Sequence, residues 1–125
     1  MMSAQPVLTV KSVSAAIKWY EDLLGFKVIF RNETAGKPES VNYAVLRNDD
    51  AVLHLGLERD MENVSGQGAC NLVTDDFVAL YERAREQRVP FYIEMSAIPT
   101  GQRTFGIKDP DGNLIAVVER RREGA

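Results

Sequence analysis

"RTFGIKDPDGNLIAVVE", residues 103–119, sets two apolar runs on either side of Asp109-Pro110-Asp111-Gly112. A run of β-forming residues, a four-residue turn and a second run spell a hairpin. The turn has a local cause. Asp109 can accept hydrogen bonds from the turn backbone, Pro110 presets φ at the first corner, and Gly112 takes a conformation that a side chain resists. The turn is therefore expected to be structural, with its carboxylates in solvent. The second strand, Asn113 to Glu119, carries Ala116 at its centre.

Working back from the hairpin, Phe91 to Met95 reads as a strand. Phe77, Leu80, Tyr81 and Ala84 mark the buried side of a helix ending near Arg88, which Asp75 is placed to cap. Leu72-Val73-Thr74 closes another strand. The first half of the chain has the same order. Val7 to Val10 is a strand, and Ser12 or Ser14 can cap a helix whose apolar stripe is Ala16, Ile17, Tyr20, Leu23 and Leu24. Gly25 stops that helix. Phe26 to Arg31, Val41 to Leu46 and Ala51 to Leu57 supply three strands, with a loop at Asn32 to Ser40 that contains Gly36 and Pro38. Val10 answers to Val73, Ser12 to Asp75, Ile17 to Leu80, and Leu53-His54-Leu55 to Ile115-Ala116-Val117, a spacing of 62 to 63 residues. Arg88 stands where Gly25 would be, so the second helix is expected to end differently.

The expected architecture is one α+β domain over 1–125, with two βαβββ modules in tandem forming a curved mixed sheet and helices on the outer face. Module one covers about 5–57, a connector 58–67, module two about 68–119, and a tail 120–125. The 125 residues are 45% hydrophobic and 26% charged, which is ordinary for a globular protein and excludes a disordered chain. A net charge of −3 repels phosphate backbones, and the basic run Arg120-Arg121-Arg122 reads as a solvated end, so nucleic acid is not an expected partner. No apolar run is long enough for a bilayer and no basic start precedes an apolar stretch, so the cytoplasm is the expected compartment. One cysteine, Cys70, and one histidine, His54, cannot make a disulfide or a zinc knuckle.

With its paired modules, "AAIKWYEDLLGFKV" at 15–28 and "FGIKDPDGNLIAVVE" at 105–119, nearly the whole chain resembles the vicinal-oxygen-chelate superfamily. That superfamily includes glyoxalase I, extradiol dioxygenases, and fosfomycin- and bleomycin-resistance proteins. The resemblance implies a cup whose metal-using members take ligands from two strands per half. Carried onto this chain, those positions fall on Gln5, His54, Gly68 and Ala116. A catalytic metal needs about three protein donors and an open position. Gly68 and Ala116 offer none, and a partner chain would bring the same two residues. The expected protein is therefore a metal-free, bleomycin-resistance-like homodimer, without cofactor, that sequesters a small, partly apolar molecule such as an antibiotic. "LHLGLERD" at 53–60 resembles the same branch, whereas Ser96 to Gln102 lacks the aromatic residue found there in bleomycin binders, which argues against bleomycin itself. The alternative is a divalent-metal lyase, isomerase or dioxygenase using Gln5 and His54.

The residues expected to meet the ligand are Gln5, His54, Tyr43, Phe105 and Arg103. His54 alternates with Leu53 and Leu55, so if the leucines pack under the helix the imidazole lines the cup. Tyr43 and Phe105 stand at equivalent positions of the two halves, on strands that flank the cup, where either can be an aromatic contact or part of the core. Arg31, Arg47 and Arg103 are candidate anion contacts near strand ends. Glu58, Asp60 and Glu62 could face a cationic ligand. Trp19 and Tyr20 are assigned to packing, and Cys70 to a small buried site.

Overall fold

A computed structural model of the chain describes residues 2–33, 37 and 40–121. Gly36 and Pro38 of the expected loop, and Arg122 of the basic tail, lie outside them. The elements are β1 (Val7–Val10), α1 (Val13–Leu24), β2 (Lys27–Glu33), β3 (Val41–Asn48), β4 (Ala51–Leu57), a 3-10 turn (Glu58–Asp60), β5 (Ala69–Thr74), α2 (Phe77–Glu86), β6 (Phe91–Ala97), β7 (Arg103–Lys108) and β8 (Leu114–Glu119). They form two four-stranded mixed sheets, ordered β1-β4-β3-β2 and β5-β8-β7-β6. In each sheet the first strand runs parallel to its neighbour and the others are antiparallel. The α+β tandem of βαβββ modules is thus the observed architecture. No helix among the described residues is long and apolar enough to cross a membrane.

Alternation along the strands sends one set of side chains under the helices. Leu53, Leu55, Ile115, Val117, Phe105 and Ile107 join Val13, Ile17, Tyr20 and Phe77 in one apolar cluster spanning both modules. The helix α1 begins where Ser12 Oγ accepts from the Ala15 N–H at 3.2 Å, and it ends at Gly25 with φ 73°. The helix α2 begins after Asp76, one residue later than expected; Asp75 instead pairs with Arg120 at 2.9 Å. Arg88, at φ 54°, takes the left-handed conformation that Gly25 takes in module one. The second helix nevertheless ends differently, as expected: its cap is Gln87 at φ −84°, and the left-handed residue comes one position later.

Two details of spacing change the equivalence of the halves. The helix starts, Val13 and Phe77, are 64 residues apart, and β1 and β5 keep that offset because Val7 pairs with His54 while Asn71 pairs with Ala116. In the hairpins the offset is different. The first has two residues, Asp49-Asp50, between paired Asn48 and Ala51; the second has three, Pro110-Asp111-Gly112, between Asp109 and Asn113. The extra residue, with Gly112 at φ 97°, makes Val45 the counterpart of Gly106, since these pair with His54 and Ala116. Tyr43 is then the counterpart of Thr104. Phe105 is one residue off, and in a strand one residue reverses the face.

The Asp109 turn also departs from expectation, for its leading carboxylate is buried at 4% exposure. One oxygen accepts from the backbone N–H groups of Asp111 and Asn113 at 3.0 and 2.8 Å; the other accepts from the Tyr20 hydroxyl at 2.8 Å and the Asn113 amide at 2.9 Å. Asn113, fully buried, also donates to the Thr9 carbonyl and accepts from the Gly68 N–H. The turn thereby joins β8 to α1, to β1 and to the start of β5. A charge buried this way is tolerated because its lone pairs are filled. Burial, and then the neighbouring Asp109 charge, hold the Tyr20 hydroxyl well above the usual tyrosine range.

Replacing Tyr20→Phe leaves an Asp109 oxygen short of a donor and is expected to cost about 1–3 kcal/mol in urea unfolding. Because Tyr20 is protonated in the fold beyond the point where it ionises in the open chain, stability should hold to about pH 9–10 and fall above it. Tyr20→Phe should flatten that alkaline decline, part of which belongs to Cys70, Tyr43 and Tyr92, whose values are also raised. By contrast, Arg88→Gly relieves a left-handed residue and should raise stability by up to about 1 kcal/mol in the same urea measurement.

Candidate functional site

The face of the first sheet turned away from α1 carries Val7, His54, Val45 and Phe30 as one cross-strand row. The next row holds Thr9, Gly56, Tyr43 and Asn32. Leu53 and Leu55 are buried on the helix side, so His54 points to the open face, as the alternation requires. The His54 N–H bonds to the Pro6 carbonyl at 2.9 Å, which extends the pairing of β1 upstream and sets Gln5 beside the ring.

Three of the expected residues meet here. The Tyr43 hydroxyl lies 2.6 Å from His54 Nδ1, and Gln5 Oε1 lies 2.7 Å from His54 Nε2. The two rings sit edge to face at 5.5 Å between centroids. A carboxamide oxygen can only accept, so Nε2 carries the proton, and Nδ1 accepts from Tyr43. Both imidazole nitrogens are thus engaged by the chain itself. Partial burial raises the Tyr43 hydroxyl above the ordinary tyrosine value, which keeps it a phenol.

The other two expected residues are elsewhere. Phe105 is completely buried on the helix side, against Phe77, Tyr81 and Phe91 at 5.2 to 5.6 Å, so it is core and not wall. The hairpin offset described above is the cause. Arg103 shares that side. Its guanidinium donates from Nε and Nη2 to Glu119 and stands 5.2 Å from the centre of the Phe77 ring. It closes the end of the core and does not approach His54.

The second sheet presents Asn71, Ala116, Gly106 and Ile93 in its matching row. By the 64-residue offset, the counterpart of Gln5 is Ala69 and not Gly68. Gly68 has another reason to be glycine: a Cβ there would sit 2.6 Å from Leu8 Cδ2, where the modules join. Ala69 and Ala116 are both without a donor. Among the described residues no three His, Cys, Asp or Glu side chains converge. With both nitrogens of His54 occupied, these residues do not fit a catalytic divalent cation.

Two contributors were missed in the sequence. Tyr92 lies across the bare backbone of Gly106, whose added Cβ would meet its ring at 2.6 Å. Phe91 packs with the core aromatics, so alternation from it would have placed Tyr92 on the open face. Met61, from the connector, covers Gly56 in the same way, with Sδ 2.5 Å from a would-be Cβ. Glycine in the middle of a strand was the available signal in both cases. Phe30, Ile93 and Met95 add apolar surface at 54, 37 and 42% exposure.

Of the remaining candidates, Arg47 donates to the Asp49 carbonyl and Glu58 accepts from the Ser65 N–H at 2.7 Å; the Ser65 hydroxyl first, and then that N–H, lower the Glu58 pKa. Asp60 contacts Arg59. Arg31 and Glu62 are exposed. Trp19 packs on Tyr20 at 4.7 Å between centroids. A cavity of about 170 Å³ lies between the modules, bordered by Leu24, Phe26, Leu72, Leu80, Asp49 and Asp75, and includes none of Gln5, Tyr43 and His54.

Burial and the nearby Asp109 charge push the Cys70 thiol up to about 11. Alkylation by iodoacetamide at about pH 8 should therefore be far slower than for a free cysteine, whose value lies near 8.5. Mass spectrometry of timed samples reads this directly, and modification at the free-thiol rate would contradict the placement.

Residues 3–117 match the model of the Glyoxalase/Bleomycin resistance protein/Dioxygenase superfamily. YwbC of Bacillus subtilis strain 168, an uncharacterized protein, is 30% identical, with 90% of this chain and 93% of that protein covered. The bleomycin resistance determinant encoded on transposon Tn5 superposes with a TM-score of 0.76 at 19% identity, covering 98% of this chain and all of that one. A lactoylglutathione lyase from Agrobacterium tumefaciens gives 0.74 at 20% identity over 98% and 96%. These two share the fold while differing in what their names say they do. The chain belongs to the Glyoxalase/Bleomycin resistance protein/Dioxygenase superfamily.

Proposed function

We propose that this protein binds a small, partly apolar molecule on the open faces of its sheets and does so without a metal ion. One observation carries the reading: the only imidazole has both nitrogens tied to Tyr43 and Gln5, while Ala69 and Ala116 stand at the matching positions of the second sheet. Recruiting His54 to a cation would break an existing hydrogen bond and still leave too few donors. What the faces do offer is apolar area from Phe30, Val45, Tyr92, Ile93 and Met95 around a few fixed polar atoms, the usual make-up of a small-molecule site. The fold-level likeness to a bleomycin resistance determinant is consistent with sequestration.

The same faces suggest a homodimer. Two isolated sheets leave these apolar side chains in water, and a second copy turning its faces toward them would enclose a cup. Cytoplasmic sequestration of an antibiotic-like compound is the role that this arrangement suits.

Protein purified without a chelating tag should hold far less than one equivalent of zinc, nickel, manganese or iron by elemental analysis. Added metal should leave the melting temperature unchanged, while a ligand at one hundred times its Kd should stabilise the fold by about 2.7 kcal/mol. A stoichiometric divalent ion that survives dialysis would overturn the reading in favour of a metal-dependent lyase, isomerase or dioxygenase.

A further inference from the structure

The hydrogen-bond chain through His54 has a direction, and the direction constrains the guest. Gln5 turns its carbonyl oxygen to Nε2, so its amide NH2 is left over. Tyr43 has one hydroxyl proton and spends it on Nδ1, so only lone pairs remain on its oxygen. The wall thus presents an acceptor at one end and a donor at the other, one imidazole and two hydrogen bonds apart. Val7, Val45 and Phe30, which share the His54 row, are apolar and contribute no charge.

Resting on the binding role argued above, we propose that the wall selects an uncharged, flat molecule with a hydrogen-bond donor at one end for Tyr43, a carbonyl acceptor at the other for Gln5, and an apolar ring between them beside Phe30. A carboxylate turned to Tyr43 meets lone pairs, and an ammonium turned to Gln5 meets N–H groups. Turned the other way each finds a hydrogen bond but no opposite charge in the row of Val7, Val45 and Phe30, so in either placement a charge is left unpaired on a partly desolvated wall. The raised value of the Tyr43 hydroxyl fits this polarity, because a phenolate would present no proton to Nδ1.

His54 is the only histidine in the chain, so its ring nitrogens can be observed without assignment. In protein carrying 15N-imidazole at about pH 8, long-range 1H–15N spectra should show a protonated Nε2 and a bare Nδ1. The opposite tautomer would overturn the proposal, since it reverses donor and acceptor along the wall.

The ligand class is tested with three probes by thermal shift and calorimetry: 4-hydroxyacetophenone, 4-methoxyacetophenone, which lacks the donor, and 4-ethylphenol, which lacks the acceptor. The first should bind roughly tenfold more tightly than either of the others, the worth of one well-placed hydrogen bond. In Tyr43→Phe, with folding checked by circular dichroism, the preference over the methoxy compound should vanish. Equal binding of all three by the unchanged protein would sink the polarity argument and leave metal-free binding intact. Binding by none would exclude this ligand class. Stoichiometric metal in the purified protein would instead remove the binding role itself.

Discussion

Two modules of this size are held in register by one buried carboxylate. Asp109 accepts four hydrogen bonds, two from its own turn, one from Asn113 and one from Tyr20, which lies 89 residues away on the first helix. Each is a charge-assisted hydrogen bond. Together they leave a charge that cannot be hydrated with no lone pair to spare, so any displacement of the closing hairpin against α1 would strand a buried charge. The requirement is steep enough to fix how the second sheet sits on the first. Asn113 passes it on to the Thr9 carbonyl and the Gly68 N–H, the point at which a side chain on residue 68 would collide with Leu8.

The two module joints are not alike. At the Asp109 turn the space between hairpin and helix is filled by the Tyr20 ring and the Asn113 amide. At the corresponding place in the other half, Asp49 and Asp50 stay exposed, Asn48 reaches the Leu24 carbonyl, and a cavity remains. Arg83 spans the helices there by donating to the Leu23 carbonyl at 2.9 Å, at the negative end of α1. One joint is therefore a knot of buried polar groups and the other an open contact edged by exposed carboxylates. The knot supplies the rigidity on which the open faces depend.

The elements of both modules could be read from the sequence because periodicity reports which side of a helix or strand is apolar, and these stripes are clear at Ala16 to Leu24 and Leu53 to Leu55. The face that His54 turns to is legible for the same reason. Its neighbours decide its direction. What failed was counting between the halves. At 64 residues Phe77, Leu80, Tyr81 and Ala84 fall on Val13, Ala16, Ile17 and Tyr20, all apolar, whereas at 63 they fall on Ser14, Ile17, Lys18 and Glu21, so the stripe itself favours 64; Asp75 and Asp76 are both able to cap, and the cap alone does not choose. The one-residue excess in the second hairpin then moved Phe105 from an imagined wall into the core. The burial of Asp109 was illegible for a different reason: the partner that makes it tolerable is remote in sequence, and turn carboxylates without such a partner are solvated.

The state of His54 carries the functional argument further than the count of donors. A histidine that binds metal normally uses one nitrogen for the ion and gives the other to a carbonyl or carboxylate that orients the ring. Here the orienting partner is present, in the form of Gln5, but the opposite nitrogen is closed by a tyrosine hydroxyl from the neighbouring strand. Tyr43 thus closes the second ring nitrogen and shares its Cα pairing row with Gly56, over which Met61 is folded. On the second sheet Ala69 and Ala116, the counterparts of Gln5 and His54, have no donor, Thr104 spends its hydroxyl on the Val117 carbonyl, and Tyr92 lies over Gly106. The two faces offer different things, a directed pair of polar atoms on one and a more apolar surface of Ala116, Gly106, Tyr92 and Ile93 beside Asn71 on the other, and a guest that satisfies both must itself be amphipathic.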